Sequence, residues 1–320
     1  MNLCVTKIKN LHRVPQRIHR VTQRKKKLIS QKIVIDFFCI LVLKFLKQLS
    51  SLLKISVSFL LILSSLTASG GDPYRPSAGA GEAGTEYVCI MKNGFWSSFH
   101  NQATLAYNNS FTFGFNYENR FNIRELGTRS LGVIIPAGKA SLGAVYSHFG
   151  YADFKRDMTG LACGMKLSEK ISAGLQVDYL SERTSGEYDM NQSVTCEIGL
   201  LAAPSEKTRI GIHIFNPVPN SLRKTFLPTS LRIGAGTYLN KSLFAGVESE
   251  MSSGSKLILK TGIEYEAAKK LWLRGGYSTD NNSFSFGLGW LVKMVQMDIG
   301  FISHEKLGVT SSVSLIFKIH

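Results

Sequence analysis

Hydrolysis by a serine nucleophile needs a hydroxyl and an imidazole within hydrogen-bond reach, with a third group orienting the base. The 320-residue chain has no Gly-x-Ser-x-Gly run, and beyond residue 70 its histidines (His100, His148, His213, His304 and His320) are widely separated and stand beside no Ser-Asp pattern. Ordinary loop or interior histidines are expected. A metal site would need clustered ligands, but Cys89, Cys163 and Cys196 show neither C-x-x-C nor C-x-x-H spacing. Cys163 and Cys196 read as small hydrophobes on apolar faces, and the odd count leaves one thiol free. No catalytic residue, cofactor or metal is expected, and the chain is not expected to be an enzyme. A barrel lipase or protease, the least favoured alternative, would require a Ser–His pair converging at one rim.

The remaining side chains with chemical potential are charges placed within apolar segments: Lys166, Asp178, Glu197, Arg209, Arg232, Glu248, Lys260, Glu264, Arg274 and Asp298. Each falls out of step with its apolar neighbours, so all ten share a polar face. They are candidates to line a pore or grip a ligand, or they pair across neighbouring strands and fill a narrow lumen. A second candidate is the longest polar loop, Pro217–Pro228, whose Asn220, Arg223, Lys224 and Phe226 suit contact with a partner.

The elements that must carry these residues are strands. Phe111, Phe113, Phe115 and Tyr117 alternate with Thr112, Gly114, Asn116 and Glu118, a period of two. The pattern recurs in Ile171–Tyr179, Arg209–Ile214, Leu257–Glu266, Phe284–Trp290 and Val295–Phe301. Fourteen such runs follow residue 110, at roughly 110–118, 127–136, 138–149, 157–167, 170–182, 190–203, 206–216, 229–239, 242–251, 256–267, 270–279, 283–292, 294–303 and 309–319. Short Lys-bearing turns, such as Leu239-Asn240-Lys241, alternate with mostly longer polar loops, such as Asn119–Leu126, Gly150–Arg156 and Arg183–Asp189. Outer-membrane barrels keep short turns on the periplasmic side and longer loops outside. One face is Phe-, Leu-, Ile- and Val-rich; the other carries glycines such as Gly164, Gly174, Gly211, Gly262 and Gly287. A soluble β-sandwich would also alternate, but it has no need of so much small surface opposite the apolar stripe. The expected fold is all-β: a transmembrane antiparallel up-and-down barrel of about 14 strands over 110–320.

Charge is unevenly placed. Of 38 Lys and Arg against 22 Asp and Glu, residues 1–54 hold 13 basic side chains and one acid, leaving only +4 of the +16 for the rest. Arg24–Lys27 precedes the apolar stretches Ile33–Leu46 and Ile55–Leu66, and small residues follow through Gly71. Residues 1–70 therefore read as a basic leader and signal peptide, with an over-extended start as an alternative. A membrane-spanning anchor needs about 20 apolar residues, and Lys44, Lys47 and Lys54 interrupt every such window. The basic excess then belongs to export and gives no reason to expect nucleic acid as a partner.

Residues 167–182 (LSEKISAGLQVDYLSE) and 256–290, together with Ser303–Phe317, resemble the FadL-like outer-membrane barrels that include PorV and PorQ of type IX secretion. Ser77–Gly84 and Phe95–Ala103 are similar to that group's segment before the first strand, with Asn101-Gln102-Ala103 where the family reads Asn-Pro-Ala. The resemblance implies a fourteen-stranded barrel in the outer membrane of a Gram-negative bacterium, with residues 71–109 entering or plugging the lumen. It further implies a channel, a hydrophobic-compound transporter or a secretion-associated barrel. A closed structural or docking barrel is the alternative. The expected partners are outer-membrane lipid, the barrel assembly machinery and a secretion system or secreted protein.

Overall fold

A computed structural model describes residues 78–186, 191–218, 220–222, 225–253 and 255–319. The leader and signal segment expected over 1–70 lies outside the described residues, as do residues 71–77.

Fourteen strands close into one antiparallel barrel: β1 (Phe111–Asn119), β2 (Gly127–Ala137), β3 (Ala140–Gly150), β4 (Phe154–Lys166), β5 (Ile171–Thr184), β6 (Asn191–Ala202), β7 (Thr208–Phe215), β10 (Ser230–Tyr238), β11 (Leu243–Ser252), β12 (Ile258–Ala268), β13 (Leu271–Ser278), β14 (Ser283–Val292), β15 (Val295–His304) and β16 (Gly308–Ile319). Two short strands, β8 (Asn220–Leu222) and β9 (Thr225–Leu227), form a separate hairpin within the loop between β7 and β10. Each barrel strand pairs with the barrel strands next to it in sequence, β7 with β10 across the hairpin, and β1 pairs with β16 from Phe111↔Ile319 to Asn119↔Ser311. Closure leaves no strand edge, which the apolar interior of a bilayer requires because it offers backbone groups no water. At the seam the rings of Phe113 and Phe317 stack at 4.8 Å.

Alternation places the apolar residues outside and the polar residues inside, the reverse of a water-soluble sandwich. Phe115, Tyr117, Leu161, Leu175, Phe286 and Trp290 are exposed on the outer wall, while Thr112, Asn116, Asp178, Glu197 and Ser314 on the other face are buried. A belt of this composition is stable against lipid and would be a large apolar patch in water.

Two strands run further than the polar character of their ends suggests. β4 begins at Phe154 and β5 continues to Thr184, so the expected loops at 150–156 and 183–189 are partly strand. Cross-strand charge pairs extend the ladder there: Arg156 faces Glu182 in register and donates to it at 2.6 Å, and His148 faces Asp157 at 2.8 Å.

Residues 78–109 lie inside the barrel as an irregular segment. It contains one helical turn, α1 (Ala80–Ala83), and two 3₁₀ turns, Trp96–Phe99 and Gln102–Tyr107. Asn101 caps the second 3₁₀ turn by accepting from the Ala103 amide.

Candidate functional site

The glycines of the inner face mark where the segment lies. A Cβ on Gly174 would stand 2.3 Å from the Gln102 carbonyl carbon, one on Gly300 would stand 2.2 Å from the Ala80 oxygen, and Gly84 meets Gly287 backbone to backbone. These contacts leave no room for any side chain, so the small inner surface is the footprint of the plug. Asn101 Nδ2 donates to the carbonyls of Ile90 at 2.7 Å and Leu200 at 3.1 Å, joining two parts of the plug to β6.

Charged residues of the wall hold the plug at discrete points. Lys92 donates to Glu264 at 2.6 Å. Glu264 also accepts from Arg274 at 2.5 Å, and Arg274 reaches Asp298 at 2.6 Å. Arg232 pairs with Glu248 and donates to the Tyr87 carbonyl at 2.7 Å; Lys260 pairs with Glu250 at 2.8 Å. Tyr87 has φ 59°, the left-handed region that side chains rarely occupy. From there its carbonyl meets Arg232 while its hydroxyl donates to Glu118 at 2.5 Å. On β5 and β6, Gln176 donates to Asp178 at 2.7 Å, Gln102 of the plug donates to Glu197 at 2.6 Å, and His213 bonds the same Glu197 oxygen at 2.8 Å.

The ten charges expected to share one face all point inward. Asp178, Glu197, Arg232, Glu248, Arg274 and Asp298 are buried and Lys260 and Glu264 half-buried; Asp178 is bonded to Gln176 of its own strand, and each of the others to the plug or to another strand. Lys166 and Arg209 sit at the short-turn end, where both cations stack on the Tyr107 ring of the plug at 4.7 Å and 5.6 Å. Opposite charges joined in this way, Lys92–Glu264–Arg274–Asp298 and Arg232–Glu248, close a lumen; they do not line an aqueous path. Burial pushes the carboxyl of Glu86, in the plug, up to about 7, although Lys260 and a bond from Ser283 pull it down. Burial likewise raises Glu82, which accepts from Ser97 at 2.8 Å.

Of the expected partner loop, Arg223 and Lys224 lie outside the described residues, while Asn220 and Phe226 belong to the β8–β9 hairpin. Its residues Leu222 and Leu227 are 1% and 0% exposed and join one apolar cluster with Leu180, Phe215, Met158 and Val145 of the wall. The same cluster continues to Phe95, Trp96, Phe99 and Leu105 of the plug. The inward position of Leu222 and Leu227 is not visible in the sequence, because strands of three residues carry too short an alternation to read. A cavity of about 10 Å³, room for one water, lies where the cluster meets polar groups of the plug and wall, lined by Phe99, His100, Ser130, Val145, Ser147, Met158, Gln176 and Glu197.

No family model and no curated protein matches the sequence. Solved structures match the fold. The Ralstonia pickettii toluene transporter TbuX is 12% identical over 76% of this chain and 98% of its own, with a TM-score of 0.61. A Pseudomonas aeruginosa FadL homologue is 11% identical over 77% and 99%, with a TM-score of 0.59. The P. putida toluene transporter TodX is 11% identical over 75% and 99%, with a TM-score of 0.58. The chain therefore has the fold of a FadL-like outer-membrane β-barrel.

Proposed function

We propose that this barrel passes small apolar molecules across the outer membrane. The observation that carries the reading is the single apolar cluster running from Leu222 and Leu227 of the outer hairpin to Phe95 and Phe99 of the plug. An open aqueous porin has a polar, water-filled lumen; here charges pair and apolar side chains fill the centre. An apolar solute can replace side-chain contacts along such a column without desolvating a polar group of its own. The toluene transporters that share the fold support this choice of cargo.

Uptake of radiolabelled toluene by cells lacking their own route, with and without this chain, tests the proposal. Faster toluene uptake with no gain in uptake of a polar solute of similar size is the expected result. Equal rates with and without the chain would refute transport and favour the closed docking barrel. The secretion-associated reading rests on the local sequence phrases alone, and co-purification of a secreted protein with the barrel would support it.

A further inference from the structure

Six short turns join strands at one rim: residues 138–139, 167–170, 203–207, 239–242, 269–270 and 293–294. Every one carries lysine. Together they hold Lys139, Lys170, Lys207, Lys241, Lys269, Lys270 and Lys293 against two acids, Glu169 and Glu206. At the opposite rim the described residues of the seven connections are balanced, with four basic and four acidic side chains. All seven turn lysines are exposed, and among the described residues none enters a salt bridge. They are not part of the charge matching inside the barrel.

The turns also carry apolar residues at their tips. Leu167, Leu239 and Met294 are 59%, 60% and 48% exposed, each within three residues of a turn lysine and continuous with the lipid-facing wall. In water an apolar tip beside an unpaired amine gains nothing. At a bilayer boundary both are satisfied: the apolar side chain enters the acyl region and the amine reaches the headgroup layer.

We infer that the short-turn rim is a binding surface for anionic phospholipid headgroups, with one or two amines from each turn forming a ring around the barrel. Charge complementarity and the continuity of the apolar tips with the membrane belt favour lipid over an acidic protein, which would leave Leu167, Leu239 and Met294 in water. The inference does not depend on what crosses the lumen.

The test is native mass spectrometry of the full chain released from vesicles of equimolar phosphatidylglycerol and phosphatidylcholine. Retained phosphatidylglycerol should exceed phosphatidylcholine by about fivefold, the ratio expected when even one amine contributes its usual attraction. Changing all seven lysines to glutamine should bring the ratio to parity, while R124Q/K256Q/K306Q at the other rim should leave it unchanged. If the sevenfold variant does not fold, K139Q/K241Q/K293Q should lower the ratio partway. Parity in the unaltered chain, enrichment that survives loss of the turn lysines, or equal loss in the opposite-rim variant would overturn the inference. Parity together with lysine-dependent retention of an acidic periplasmic protein would assign the ring to a protein and equally overturn it.

Discussion

Gln102 of the plug donates to Glu197 of β6 at 2.6 Å, and the oxygen it bonds is the one held by His213. A neutral amide thus connects the irregular inner segment to a buried carboxylate that already has a partner. Removing that amide, as in Gln102→Leu, should cost about 1 kcal/mol, because Glu197 keeps His213. Gln102→Glu should cost more, since it brings a further carboxyl against the buried Glu197 and Asp178. Urea unfolding in lipid vesicles, compared across the two variants, gives the order.

The Gln102 position also departs from the Asn-Pro-Ala phrase of the resembled family. Gln102 opens a 3₁₀ turn, where a proline fits without losing a backbone bond. Gln102→Pro should therefore preserve the turn and lose the side-chain contacts to Glu197 and Gln176, with a stability close to that of Gln102→Leu.

Arg274 is the hub between Glu264 and Asp298. Arg274→Met should destabilise the barrel by about 3–5 kcal/mol, because it leaves Asp298 buried without its cation. Lys92→Met should cost clearly less, since Arg274 still holds Glu264. Adding Asp298→Asn to Arg274→Met should restore part of the loss. Denaturation midpoints of the four proteins check this ranking.

Gly174 packs against the plug, whereas Gly275 on the outer wall would admit a Cβ with nothing nearer than 3.7 Å. Gly174→Val should displace the plug and expose residues 78–109 to protease, at a cost of about 1–3 kcal/mol. Gly275→Ala should be silent. Limited proteolysis read by mass spectrometry separates the two.

Much of this plan is visible in the sequence. Two-residue alternation from Phe111 onward gives the strands and their faces, since side-chain direction in a strand depends on parity alone. Which charges pair is not visible: Arg274 meets Asp298 only through the registers of β13, β14 and β15, and register depends on every turn between them. The plug is harder still. Its left-handed Tyr87 and its contacts to Glu118 and Arg232 follow from irregular backbone with no period to read, although the glycines opposite the apolar stripe record its path.

The carboxyl of Glu86 is raised by burial from 4.5 to about 7. Between those values the folded chain holds a proton that the unfolded chain has lost, so this group favours folding most at low pH and loses that contribution as pH rises towards 7. Thermal unfolding of the plug, followed by emission of the buried Trp96 after Trp272 and Trp290 are changed to phenylalanine, should move to lower temperature from pH 5 to pH 8. Glu86→Gln should remove Glu86's share of that shift.

A lumen filled by residues 78–109 and matched charges is the centre of the account, and single-channel recording of the folded full chain in planar bilayers tests it most directly. The expected record is a barrel that inserts and carries no steady ionic current. A large, persistent conductance from the unaltered chain would contradict the plugged lumen and the apolar route built on it.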